Sequence, residues 1–132
     1  MLDRIDIEVE LPSLSYEELS ARECDTETSA AIRARVVEAR KFAAARMAGE
    51  SGVFCNAQLG AAGIRKYCVA DDAAMALLKG AYDRLGLSAR GYDRIMRVAR
   101  TVADLDGSEM IRAHHIGEAI QLRSLDKKYW EA

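Results

Sequence analysis

Three arginines, Arg90, Arg94 and Arg97, recur at spacings of four and three in the segment 88–105. At 100° per residue they fall within about 60° of one another on a helix, with Thr101 beside them. A guanidinium group offers a planar fork of donors that matches phosphate oxygens, so such a stripe can recognise a phosphorylated ligand. Arg90 would stand in the first turn, where free backbone amides also favour anions. The bland alternative is a solvated face, on which like charges repel by a few tenths of a kcal/mol per pair unless an acid compensates. Composition does not separate these two readings.

Other residue types that do chemistry are sparse. Cys24, Cys55 and Cys68 are widely spaced, with no C-x2-C pair, and read as reduced thiols rather than as a disulfide framework or a zinc site. His114 and His115 are adjacent, so on a helix they point about 100° apart. No metal site is expected from them, and with no acid–base partner evident they read as a surface or rim pair. There is no G-x-x-x-x-G-K-[ST] loop to cradle phosphates, and Gly60 and Gly63 are not followed by Lys-Ser or Lys-Thr. An apolar strand ending in paired acids, which would hold magnesium, is also missing from the sequence.

The elements that must position these groups are helical. In 132 residues there is one proline, and aromatic content is only 6%, while alanine, leucine, glutamate and arginine are plentiful. Half the residues are hydrophobic, enough for a single buried core, yet no apolar run approaches the roughly 18 residues that span a bilayer. The start lacks the pattern of a secretory signal, which points to a cytoplasmic chain without a membrane partner.

Residues 4–10 alternate apolar and charged, as a strand does, and Leu11-Pro12 ends the pattern. One strand cannot satisfy its own backbone, so its partners are expected outside this sequence. A short helical turn follows at Ser15–Leu19. A long helix is expected over about 28–48, with Ile32, Val36, Ala39, Ala43 and Met47 as its apolar stripe. Asn56 is expected to cap a helix running to about Tyr67. Asp71-Asp72 should cap the next, which buries Met75, Leu78 and Tyr82 and stops at Gly86. Ser88 starts the arginine-bearing helix, with Ile95, Val98, Val102 and Leu105 inward and Arg100 off to one side. Asp106-Gly107 stops it. A last helix over about 111–123 turns Ile116, Ala119 and Ile120 inward. Tyr129-Trp130 covers a small apolar spot or frays. The expected fold is an all-α helical bundle preceded by one short β-strand.

The formal charge of −2 is unevenly placed. Residues 1–30 hold nine acids and two arginines, whereas residues 31–132 hold seventeen basic and twelve acidic side chains. The basic body hints weakly at anionic partners. One reading is a free-standing DNA-binding module using Arg33, Arg35, Arg40, Lys41 and Arg46 of the helix 28–48. Against it, Glu38 is interleaved and only Phe42 is available for stacking on bases.

Several blocks of sequence carry a resemblance. These are Leu2-Asp3-Arg4-Ile5-Asp6, Ser15-Tyr16-Glu17-Glu18-Leu19, Asn56-Ala57-Gln58-Leu59, Gly86-Leu87-Ser88-Ala89-Arg90, Arg94 through Leu105, and Glu118 through Asp126. In this order they resemble the C-terminal helical region, or lid, of AAA+ ATPases of the magnesium-chelatase-like group, and in particular the ComM (YifB) competence proteins.

The resemblance implies roles. Arg90, in the serine-x-arginine start of its helix, matches the sensor-2 residue that contacts the γ-phosphate of ATP. Arg4 matches the arginine finger that projects into a neighbouring subunit's ATP site. Arg94 and Arg97, and on the same grounds Arg100, become candidates to support the nucleotide site or a subunit interface, the alternative being surface or core-rim salt bridges. Residues 1–12 would be the end of the AAA+ core and 13–132 the lid. By the resemblance, Met1 stands in place of the residue before Leu2 and the core lies upstream. ATP and Mg²⁺ would then be bound by the parent, not by this portion, which is expected to be inactive alone. The implied parent is a homo-oligomer, hexameric by analogy, that acts on DNA in branch migration. The alternative parent within the same group is the motor subunit of magnesium chelatase, which drives Mg²⁺ insertion into protoporphyrin.

Overall fold

The computed structural model describes residues 4–21 and 26–123, and among these it consists of helices and loops. Leu2-Asp3, Cys24, Ser124–Asp126 and Tyr129-Trp130 lie outside the described residues. The helices are α1 (Tyr16–Ser20), α2 (Ser29–Arg46), α3 (Ala61–Tyr67), α4 (Asp72–Leu85), α5 (Ala89–Leu105) and α6 (Ala113–Gln121), with one 3-10 turn at Asn56–Gln58.

The boundaries follow local capping chemistry. Ser15, Thr28, Asp71 and Ser88 each accept a hydrogen bond from a backbone N–H three residues on, which satisfies a donor that the first helical turn leaves unpaired. At Ser15 the bond is reciprocated, since Glu18 accepts from the Ser15 N–H at 3.0 Å. Gly86 ends α4 at φ +61°, a left-handed conformation that costs a side-chain-bearing residue more than glycine.

α5 is the central element. It packs against α2, α3, the 3-10 turn and α6, while α4 packs on α6. Ile95, Ala99 and Ala103 of α5, Leu78 of α4, Ile111, and Ile116 of α6 are essentially sealed from solvent. Between α3 and α4 the chain runs beside the loop before α6. There Ala70 and Ile111 pair as an isolated parallel bridge, with Ile111 N–H donating to Val69 O at 2.8 Å and Asp71 N–H donating to Ile111 O at 3.1 Å.

Several expectations need correcting. The alternating segment 4–10 forms no strand, and no strand occurs among the described residues. An alternating pattern needs a neighbouring ladder, and here the segment's backbone instead donates the Glu8 N–H to Leu122 O at 2.7 Å and offers the Ile5 carbonyl to the Arg123 side chain. Its apolar side chains Ile5, Ile7, Val9 and Leu11 stay exposed. In α2 only the second half of the stripe is buried, through Ala39, Ala43 and Met47, while Ile32 and Val36 are exposed because the first half extends beyond the bundle.

α4 buries Ala74, Leu78 and Ala81 rather than Met75 and Tyr82, and its alanines mark a closely packed face. Leu105 is exposed at the end of α5, and Ile120 is only partly buried. The helix expected from Asn56 to Tyr67 divides into the 3-10 turn and α3, because the Asn56 side chain is engaged elsewhere.

Candidate functional site

Arg90 is exposed in the first turn of α5, just beyond the Ser88 cap, whose hydroxyl accepts from Gly91 N–H at 3.0 Å. Arg94, one turn further, is largely covered and forms an ion pair with Asp6. Arg97 donates through Nε to Leu59 O at 2.9 Å, anchoring the connection between the 3-10 turn and α3. Within the helical stripe inferred from spacing, Arg94 and Arg97 hold other segments of the same chain, and Arg90 is exposed.

The arm preceding α1 lies along this side of the bundle. Besides the Asp6–Arg94 pair, Arg123 donates through Nη1 to Ile5 O at 2.9 Å, and Glu8 donates its backbone N–H to Leu122 O. Arg4, two residues before Asp6, is exposed, and among the described residues it makes no ion pair. The arm thereby brings Arg4 to the side of α5 that bears Arg94. A groove of about 690 Å³ between the arm and α6, lined by residues such as Glu8, Glu10, His114 and Glu118, includes neither Arg4 nor Arg90.

Arg100 is fully buried rather than off to one side, and it belongs to a polar cluster that links α2, the 3-10 turn and α5. Its Nε donates to Asp104 Oδ1 at 3.2 Å. Its Nη atoms donate to the carbonyls of Tyr67, Glu109 and Ser108. Arg46 grips both oxygens of Asp104 at 2.7 Å, and Asn56 donates to Asp104 Oδ2 at 2.8 Å and to Thr101 Oγ1 at 3.0 Å. A buried carboxylate is tolerable because two guanidinium groups and an amide satisfy it. Burial lowers the Arg100 pKa from its ordinary value, with Asp104 opposing that shift. The same burial pushes the neighbouring Cys68 thiol up to about 11.

Sequence reasoning overlooked this cluster. The Arg100–Asp104 spacing of four was its one local signal, since Arg46 and Asn56 approach from far along the chain.

It also overlooked the partner of the histidines. His114 Nε2 and His115 Nε2 both contact Asp106 Oδ2, at 3.2 and 2.9 Å. These three ligand-type atoms lie within 4.8 Å of one another, the geometry of a possible metal site. The Nδ1 of His115, however, accepts the Arg112 N–H at 2.9 Å. A neutral imidazole that accepts at Nδ1 carries its proton on Nε2 and donates it to Asp106, so that nitrogen has no lone pair to offer an ion. The arrangement is a hydrogen-bonded closure of the α5–α6 turn, and the two donated bonds hold the Asp106 carboxyl below its ordinary pKa.

The basic residues of α2 are mostly matched by acids. Arg35 pairs with Glu27, Lys41 with Glu38 at 3.4 Å, and Arg46 with Asp104. Arg33 and Arg40 are exposed on the same helix. This is not a continuous basic track for nucleic acid. Among the described residues no helix is long and apolar enough to cross a membrane.

A helical bundle centred on α5, with one arginine in that helix's first turn and another on the arm, is what the described residues present. The family comparison gives its class: the model for magnesium chelatase, subunit ChlI C-terminal, matches residues 26–123, and the chain belongs to that family. It is 37% identical over 94% of its length to the competence protein ComM of Haemophilus influenzae, and 35% identical over 96% to YifB of Escherichia coli. It spans about a quarter of the length of these relatives, 23% and 24% respectively. Asn56, Arg100, Thr101 and Asp104, which lie in two of the sequence blocks on which the resemblance was read, join Arg46 in the buried polar cluster.

Proposed function

We propose that this chain is the C-terminal lid portion of a ComM-type AAA+ ATPase, an oligomeric cytoplasmic motor that acts on DNA. In this reading residues 1–12 end the ATPase core and 13–132 form the lid. Arg90 is the sensor-2 residue and Arg4 the arginine finger, directed to an ATP held between subunits. The exposed row Ile5, Ile7, Val9 and Leu11 then packs on the upstream core, which supplies the ladder that the alternating segment lacks.

The observation that carries the proposal is the family match over residues 26–123, with Arg90 exposed in the first turn of α5 and Arg4 exposed on the arm.

The chemistry asks for this kind of group. Phosphoryl transfer spreads negative charge over the γ-phosphate oxygens, and arginines aimed there stabilise the transition state by orders of magnitude in rate. The upstream core would hold ATP and Mg²⁺, because the residues of this chain include neither a phosphate loop nor a paired-acid magnesium site. A magnesium-chelatase motor subunit would use the same arginines. Similarity to a competence protein along nearly the whole chain favours the DNA-acting parent.

The test is ATP hydrolysis by the full-length parent, comparing wild type with Arg90→Ala and Arg4→Ala, each with and without branched DNA. Loss of turnover in both variants, with DNA stimulation of wild type, supports the reading. Undiminished turnover in either variant removes that arginine's role. Stimulation by protoporphyrin and its partner subunits rather than by DNA would assign the parent to the chelatases.

A further inference from the structure

The ion pair between Arg94 and Asp6 joins parts of the chain 88 residues apart and fastens the arm to the arginine helix. Arg94 is one helical turn from Arg90, and Asp6 is two residues from Arg4. Two more bonds, Arg123 to Ile5 O and Glu8 N–H to Leu122 O, hold the next residues of the arm, but both join it to the end of α6 rather than to α5. Arg94–Asp6 is thus a salt bridge that sets the arm against the helix bearing Arg90. Arg94 is the less exposed partner, with 19% of its side chain accessible against 45% for Asp6, so it is the fixed half of the contact.

We propose that Arg94 is a positioning residue: its ion pair with Asp6 locks the Arg4 arm to α5, so that Arg4 and Arg90 are delivered to the nucleotide phosphates in a fixed mutual geometry. The proposal rests on the reading of Arg4 and Arg90 given above. It assigns Arg94 no contact with ATP. Its effect is on alignment, and a displacement of about 1 Å in a group that stabilises a transition state can cost about a hundredfold in rate. Breaking the latch should therefore lower kcat and leave ATP binding nearly intact, whereas removing a direct phosphate contact would raise KM as well.

The experiment uses the full-length parent ATPase with Arg94→Ala, Asp6→Asn, the double variant, and the charge exchange Arg94→Asp with Asp6→Arg. The expected result is a fall in kcat of about tenfold to a hundredfold for each single variant, with KM for ATP within about twofold of wild type. The double variant should be no worse than either single one, because both break the same contact. The charge exchange should recover a large part of kcat. Asp6→Asn changes only the more exposed partner, so it keeps the test open if Arg94→Ala fails to fold.

Wild-type kcat in Arg94→Ala and Asp6→Asn overturns the proposal, provided Arg4→Ala and Arg90→Ala abolish turnover in the same assay. Additive losses with raised KM overturn it too, and would make Arg94 a nucleotide contact. If Arg4→Ala and Arg90→Ala are themselves active, it is the reading of the site that fails.

Discussion

Arg46 holds both carboxylate oxygens of Asp104 at 2.7 Å, bringing together residues 58 positions apart on α2 and α5. With Arg100 and Asn56 on the same carboxylate, this pair is the centre of a polar cluster set into a mainly apolar core.

Asp104→Ala is expected to destabilise the domain by about 3–5 kcal/mol, because it leaves two guanidinium groups buried without their counter-charge. Urea unfolding followed by circular dichroism would measure this. A loss below about 1 kcal/mol would mean that water reaches Arg46 and Arg100 easily and that the cluster is not a structural anchor.

Ser88→Ala should cost about 1 kcal/mol through loss of the α5 cap, and Ser88→Asp should cost little, since its carboxylate can accept the same bond. Comparison of unfolding midpoints in urea decides this. Equal stability of the alanine variant and wild type would show that the bond to Gly91 N–H contributes nothing.

Acid should weaken the fold before it affects helical propensity. The carboxyl of Asp71 is held below 3.8 by the bond from Ala74 N–H and then by Arg112, and that of Asp106 by His115 and then His114. A depressed native pKa means that the unfolded chain binds more protons in this window. The associated stability is therefore fully present above the unfolded value and is lost as pH falls through the native one, below 3.8. Melting temperature scanned from pH 7 to about pH 2 should fall less steeply at the acid end for Asp71→Asn than for wild type. Identical slopes would refute the assignment to Asp71.

At alkaline pH the thiol of Cys68 governs. Burial raises it from 9.0 to about 11, so between these values the native chain keeps a proton that the unfolded chain has lost, and stability declines as pH rises. In a variant with Cys24→Ser and Cys55→Ser, Cys68 should react with a thiol reagent near pH 8 only as fast as the protein opens. Immediate labelling of folded protein would contradict its buried environment.

How much of this was legible in the sequence depends on the range of each interaction. Thr28, Asp71, Gly86 and Ser88 mark helix ends correctly because caps are settled within a few residues. Asn56 looked like another cap, but its amide is committed to Thr101 and Asp104, 45 and 48 residues away, and nothing local signals that. The stripe in α2 was half right, because periodicity identifies an apolar face without telling how far the helix outruns its neighbours. Helical geometry sets His114 and His115 about 100° apart, yet their rings come within 4.0 Å, centroid to centroid. A single carboxylate oxygen placed between them is within reach of both, and that acceptor lies on the other side of a turn. The arginine stripe was correct as a spacing and incomplete as chemistry. Its divided use emerges only when Asp6 and Leu59 O arrive beside Arg94 and Arg97.

The bonds from Arg123 to Ile5 O and from Glu8 N–H to Leu122 O bring the two ends of the described fold together. A short glycine–serine linker could join these ends, with new termini opened in the turn around Gly49–Gly52, giving a circularly permuted chain with the same core. For a motor, the same closeness sets the load path. A pull transmitted through the arm is shared between the end of α6, through these two bonds, and the middle of α5, through Asp6 and Arg94.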